Sequence, residues 1–212
     1  MDLFGETNNW VSNLNPILTK YKDRRHPLEY KNLYQLMVMV VLSAQDSDAN
    51  INSIAPALFS KYPNLESLAI SNNEALFPYI SKVTNFGTKA NWLLEIAKIL
   101  QKDDNIPLNM SSLIALKGIG RKSANVILRE SNIPAKGIIA DLHVIRVAPR
   151  IGIIPEIQDG NKTKKQLMQV LPKVIWGEIG MAISFLGREI CRPNPNCNDC
   201  PITTSCKYYN QK

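Results

Sequence analysis

Apolar positions recur along this chain with the period of a helix. In "TKANWLLEIAKILQK", Thr88 to Lys102, the residues Ala90, Leu93, Leu94, Ile96, Ala97 and Leu100 share one broad face, with Lys89, Glu95 and Lys102 outside it. "YQLMVMVVLSA", Tyr34 to Ala44, is apolar almost all round. It reads as a buried central helix, although its β-branched residues leave a strand open. "SSLIALKGIG" opens on serines suited to cap a helix and ends in a glycine turn. "SANVILRES" and "DLHVIRVAPRIG" each open on a capping residue, Ser123 and Asp141. Alternating strands joined by hairpin turns do not occur, so the expected class is all-α. "NIPAKGIIA", Asn132 to Ala140, breaks the helical pattern with Pro and Gly. It separates a middle helical block from a C-terminal block that holds every cysteine.

The bulk numbers narrow this picture only a little. A chain of 212 residues makes one large domain or two small ones, and 45% hydrophobic residues are enough for a real core. A net charge of +7 suits a polyanionic partner, nucleic acid first, but it fits a basic protein with no such partner equally well. The start, "MDLFGETNNW", has no basic segment followed by an apolar run, so no signal peptide is expected. The longest apolar run, Leu36 to Leu42, falls far short of the roughly 20 residues of a membrane helix. A soluble, intracellular, cytoplasmic protein is the expectation.

All four cysteines lie in the tail, Cys191, Cys197, Cys200 and Cys206, spaced C-x5-C-x2-C-x5-C. Nothing suggests secretion, so clustering favours one four-thiolate metal site over disulfides. Zinc sites usually come as two close pairs, and here only Cys197 and Cys200 are close. The wide outer spacings suit an iron–sulfur cluster, with zinc still open.

The densest chemistry sits in "LKGIGRKSANVIL", Leu116 to Leu128. Gly118 and Gly120 can adopt backbone angles that other residues avoid and let another backbone come close. A turn that runs into a helix start presents unpaired N–H groups, which with the helix dipole form an anion site. A nucleic-acid phosphate fits there, with Lys117 and Arg121 supplying charge. A glycine cap with ordinary surface lysines would look the same in isolation. About twenty residues later Asp141 precedes an apolar helical run, where it serves as an N-cap and is held as an anion; a fixed anion near a lysine can orient it. His143 reads as a structural histidine.

"LKGIGRKSANVIL", "ADLHVIRV" and the four-cysteine tail together resemble the endonuclease III family of helix-hairpin-helix DNA glycosylases. "LSAQDSD" resembles that family's "LSAQ" segment and "NFGTKA" its "YNSKA" segment, so the match spans roughly Tyr34 to Cys206. The resemblance implies two all-α lobes with a DNA cleft between them: a six-helix lobe over 27–134 with the hairpin, and a cluster lobe of 1–26 plus 135–212. It implies that Lys122 attacks the sugar and forms a Schiff base, that Asp141 is the catalytic aspartate, and that Gln45 fills the gap left by a flipped base. Gly118 and Gly120 would hold phosphate, and the four cysteines would bind a [4Fe–4S] cluster. The implied enzyme is a bifunctional base-excision glycosylase/AP lyase, a monomer acting on double-stranded DNA with oxidised pyrimidines or abasic sites.

Three positions depart from the family pattern. Asn85 stands where a leucine wedge is usual, and an amide does not insert between bases as an apolar wedge does. Leu142 replaces a common threonine, and the loop "RPNPN" offers only Arg192 where the family is rich in basic residues. Other readings are an adenine glycosylase, disfavoured by Met39 in place of a glutamate, an alkylated-purine glycosylase, a non-catalytic DNA-binding module, and a zinc protein.

Overall fold

The structure is a computed structural model that describes residues 9–134 and 136–211. Most of the stretch read for a signal peptide, residues 1–8, lies outside the described residues. Helix α1 (Trp10–Lys20) comes first. It is followed by α2 (Leu33–Leu42), α3 (Asp48–Lys61), α4 (Leu65–Ala69), α5 (Asn73–Ile80), α6 (Phe86–Leu100), α7 (Met110–Ala115) and α8 (Arg121–Glu130). The chain ends with α9 (Leu142–Ile151), α10 (Gly160–Val170), α11 (Trp176–Glu189) and α12 (Lys207–Asn210). Among the described residues there is no strand, and the class is all-α. The segment Leu36 to Leu42, which its β-branched residues had left open, is helical. Asn32 caps its start, accepting the Gln35 N–H at 2.9 Å.

The contacts divide the described chain into two units, residues 25–134 and a second unit of residues 9–24 with 136–211. In the first, α2 is the buried centre: Met37, Met39, Val41 and Leu42 are wholly enclosed. Helices α3, α6 and α8 pack on α2, and α4 and α5 pack on α6. This unit holds seven helices, not six, because the five-residue α4 has a capping box of its own between Asn64 and Ser67. In the second unit α11 is the centre, with α9 and α1 against it. Tyr21, closing α1, stacks on Phe185 and donates to Glu189.

Three local expectations are corrected. Lys89 is buried, not outside the apolar face. Its ammonium donates to the carbonyls of Leu42 at 2.7 Å and Ala44 at 2.6 Å, satisfying the C-terminal end of α2. A long amine on a helix edge reads as solvent-exposed until a second helix end is brought over it. Helix α7 is capped by Asn109, which accepts from Ser112 N at 2.9 Å, and not by its serines. Helix α8 begins two residues before Ser123, with Gly120 at the cap position.

Candidate active site

The hairpin of the first unit runs from α7 through Leu116 to Gly120 into α8. Its two glycines are there for different reasons. Gly118 has φ +82°, and a Cβ on it would stand 2.6 Å from Cε3 of Trp92 on α6. Gly120 has φ −85°, an angle open to any residue, and a Cβ there would meet nothing within 4 Å among the described residues. Asn, Ser or Asp side chains cap the starts of α1 to α5, α7, α9 and α10. No side-chain hydrogen bond caps α8 among the described residues, and its first turn holds Arg121 and Lys122, both exposed, with no acidic residue. Two cations at the positive end of a helix dipole cost roughly 0.3–1 kcal/mol each. An anion at that end reverses the sign of this effect. Lys117 pairs with Glu95 at 2.9 Å, an exposed pair that a competing phosphate can displace.

Gln45 and Asn85 lie on two loops of the same unit. Both are non-glycine residues in the left-handed region, at φ 58° and 55°, and the Asn85 amide donates to Gln45 Oε1 at 3.4 Å. Asp46 fastens the loops by accepting from Thr84 N at 2.7 Å, Ser47 N at 2.8 Å and the Asn50 amide at 2.9 Å. Burial pushes the Asp46 carboxyl up, but these hydrogen bonds together hold it below its ordinary value. Burial lowers the Lys89 amine below its usual value, and Asp46 opposes that shift. Two strained backbone positions held side by side by a buried cation and a bonded carboxylate are what a rigid binding feature requires.

Asp141 belongs to the second unit and does cap α9, with Oδ1 accepting from His143 N at 2.9 Å and Val144 N at 3.0 Å. Its Oδ2 accepts the Ser184 hydroxyl at 2.6 Å, and Arg188 stands 3.7 Å away. Nothing in the sequence pointed to Ser184 or Arg188, which reach Asp141 only through the packing of α11 on α9. His143 meets Arg146 at 3.2 Å, and Arg146 also donates to the carbonyls of Gly187 and Cys191.

The four cysteines, all free and half-buried, line one cavity together with Ile190 and Tyr208. Among the described residues no three His, Cys, Asp or Glu side chains are grouped so as to hold a single metal ion. Burial pushes the Cys191 thiol up, while the Arg150 guanidinium, 3.8 Å from its sulfur, opposes this. Burial also raises the Cys200 thiol, and the three other thiols add to the shift. Arg150 further donates to the carbonyls of Arg192 at 2.7 Å and Pro193 at 3.1 Å. The loop that offers only Arg192 of its own therefore has a second basic residue supplied from α9.

The HhH-GPD superfamily of base excision DNA repair proteins matches this chain over residues 38–173. The chain is 35% identical over 191 residues to the endonuclease III of Rickettsia felis, covering 86% of each protein. It is 32% identical over 182 residues to that of Synechocystis sp., covering 84% of this chain and 83% of the relative. This chain belongs to the endonuclease III family. A solved structure of a trapped endonuclease III–DNA covalent intermediate matches it with a TM-score of 0.84 at 28% identity, covering 98% of this chain and 99% of that one. A thermostable thymine-DNA glycosylase, 18% identical with a TM-score of 0.78, shares the fold. As a member of the endonuclease III family, the chain is a base-excision DNA glycosylase/AP lyase. Among its described residues no helix is long and apolar enough to cross a membrane.

The two hairpin glycines should separate fold from binding. Gly118→Ala forces a side chain to positive φ and into Trp92, so it should cost about 1–3 kcal/mol and lower Tm by several degrees. Gly120→Ala meets no atom of the described residues, so it should leave Tm unchanged; a phosphate backbone drawn up to this turn would meet the methyl group, so binding to duplex DNA should weaken. Thermal melting and a DNA titration of both variants check this. A Gly120→Ala protein with unaltered DNA affinity would contradict it.

Proposed function

We propose that this chain removes oxidised pyrimidines from double-stranded DNA and then cuts the strand at the abasic site, with Lys122 as nucleophile and Asp141 as the carboxylate of the reaction. The observation that carries the reading is the start of α8: an exposed lysine one position into a helix that opens on an uncapped glycine with free space before it. Phosphate bound to the N–H groups of that turn, with Lys117 and Arg121 beside it, sets the register of the strand without reading sequence. The same grip brings the Lys122 amine to the sugar. Gln45, with Asn85 bonded to it, is suited to fill the space left when the damaged nucleotide leaves the stack.

The chemistry follows from the groups. An amine must lose its proton before it attacks, so a proton acceptor in the assembled complex shares the task. The Lys122 Nζ–C1′ bond then forms as the bond from C1′ to the base breaks, and the base leaves with the electron pair. Asp141 carries the fixed negative charge that stabilises positive charge developing on the sugar. The sugar ring opens to an imine, which acidifies the 2′ hydrogen. Loss of that proton expels the 3′ phosphate, and water hydrolyses the imine to free the lysine.

Cys191, Cys197, Cys200 and Cys206 would hold a [4Fe–4S] cluster, and four thiols around one cavity are the donor set it needs. When bound, it supplies four iron–thiolate bonds that clamp the tail. The purified protein should be brown, with broad absorbance at roughly 400 nm from thiolate-to-iron charge transfer. Colourless protein with one equivalent of zinc would exclude the cluster. The functional reading itself is tested on a panel of duplexes, each with one defined lesion. Ring-saturated and hydroxylated pyrimidines should be released fastest. Preference for an alkylated purine or for a mispaired adenine would overturn the assigned substrate class.

A further inference from the structure

The two oxygens of Asp141 serve different ends. Oδ1 accepts both backbone N–H groups at the start of α9, and a helix cap asks for nothing more. Oδ2 is turned to α11, where it accepts the hydroxyl of Ser184 at 2.6 Å. Ser184 is fully buried, at 0% exposure, within the otherwise apolar run Ile179 to Leu186. A helical serine commonly satisfies itself by bonding back to a carbonyl one turn earlier. This one donates across to another helix instead. Its oxygen in turn accepts Nε of Arg188 at 3.4 Å, which leaves the hydroxyl proton directed at Oδ2. The Arg188 guanidinium also faces Oδ2 directly at 3.7 Å, so a hydroxyl and a cation from the same helix converge on one oxygen. Gly187 allows this approach, because a Cβ there would stand 2.9 Å from Cβ of His143 on α9.

We propose that Ser184, oriented by Arg188, is a positioning residue that holds Oδ2 of Asp141 in the orientation in which the carboxylate acts on the reacting sugar. This rests on the reading of Asp141 as the carboxylate of the reaction. The capping bonds fix Oδ1 but leave the carboxylate plane free to turn, since the last torsion of an aspartate is broad. A short bond from a neutral donor to a charged acceptor is among the stronger hydrogen bonds, and here it sets that plane. Ser184→Ala removes this bond together with the longer one that Ser184 accepts from Arg188 Nε. Asp141 still caps α9, so the fold survives, while Oδ2 loses the shorter of its two contacts from α11 and Arg188 loses the hydroxyl that orients it, so the carboxylate loses its set orientation.

The test measures the single-turnover rate of base release, with the affinity for the same duplex, on DNA carrying one thymine glycol. Ser184→Ala should lower the rate about tenfold, the scale of one hydrogen bond to a charged group. Duplex affinity and Tm should stay near the wild-type values. Ser184→Thr restores the hydroxyl and should recover most of the rate. In an Asp141→Asn background, Ser184→Ala should have no further effect, because the group it positions is gone. If Asp141→Asn slows release but Ser184→Ala runs at the wild-type rate, this inference is wrong and the reading of Asp141 stands. If Ser184→Ala slows release equally in both backgrounds, Ser184 does not act through Asp141. If Asp141→Asn itself keeps the wild-type rate, the reading beneath falls, and the role of Ser184 with it. Should the threonine variant fail to fold, the alanine variant and the cycle still decide.

Discussion

Lys122→Gln is expected to bind damaged duplex about as well as the wild type and to lose strand cutting and covalent trapping entirely. Glutamine keeps a polar side chain of similar length on the exposed first turn of α8, where no packing depends on the amine. It therefore leaves the fold and the glycine turn in place. What it removes is the amine proposed to form an imine with C1′, and no imine means no acidified 2′ hydrogen and no elimination. Strand cutting that persists at the wild-type rate in this variant would show that another amine does the work.

Asp141→Asn should slow base release by roughly a hundredfold or more, the scale of losing a preorganised charge. The variant isolates charge from structure. Asparagine is as good a helix cap as aspartate, so its oxygen can keep the bonds to His143 N and Val144 N. Its NH2 then lands where Oδ2 was, against Arg188, and a small loss of Tm should follow. Rate measured under single turnover, with melting as the control, separates the two effects. Lys122→Gln should lose the covalent step, whereas Asp141→Asn keeps the amine and should lose speed.

What was legible in the sequence was local. Asp141 was readable as a cap because a carboxylate two and three residues before free N–H groups is a short-range feature. The glycine turn was readable because 118 and 120 flank it, and the cysteine tail because its four thiols sit within sixteen residues. What was missed was tertiary. The difference between Gly118 and Gly120 depends on Trp92, brought over from α6. Lys89 sits at the edge of an apolar face and reads as solvated until the end of α2 needs its ammonium. Ser184, Arg188 and Arg150 reach their partners across 43, 47 and 41 residues of chain, and no period or motif encodes such a meeting. The start of α8 was misread for another reason. A serine is the better cap by propensity, yet the chain begins the helix at a glycine, which leaves its first N–H groups open.

The central claim is that the amine of Lys122 becomes bonded to the sugar. Borohydride reduces an imine to a stable secondary amine, so wild-type protein incubated with a duplex holding one abasic site should be recovered as a covalent protein–DNA adduct. Peptide mass spectrometry should then place the modification on Lys122. Failure to trap any adduct, or an adduct carried by a different residue, would contradict the account.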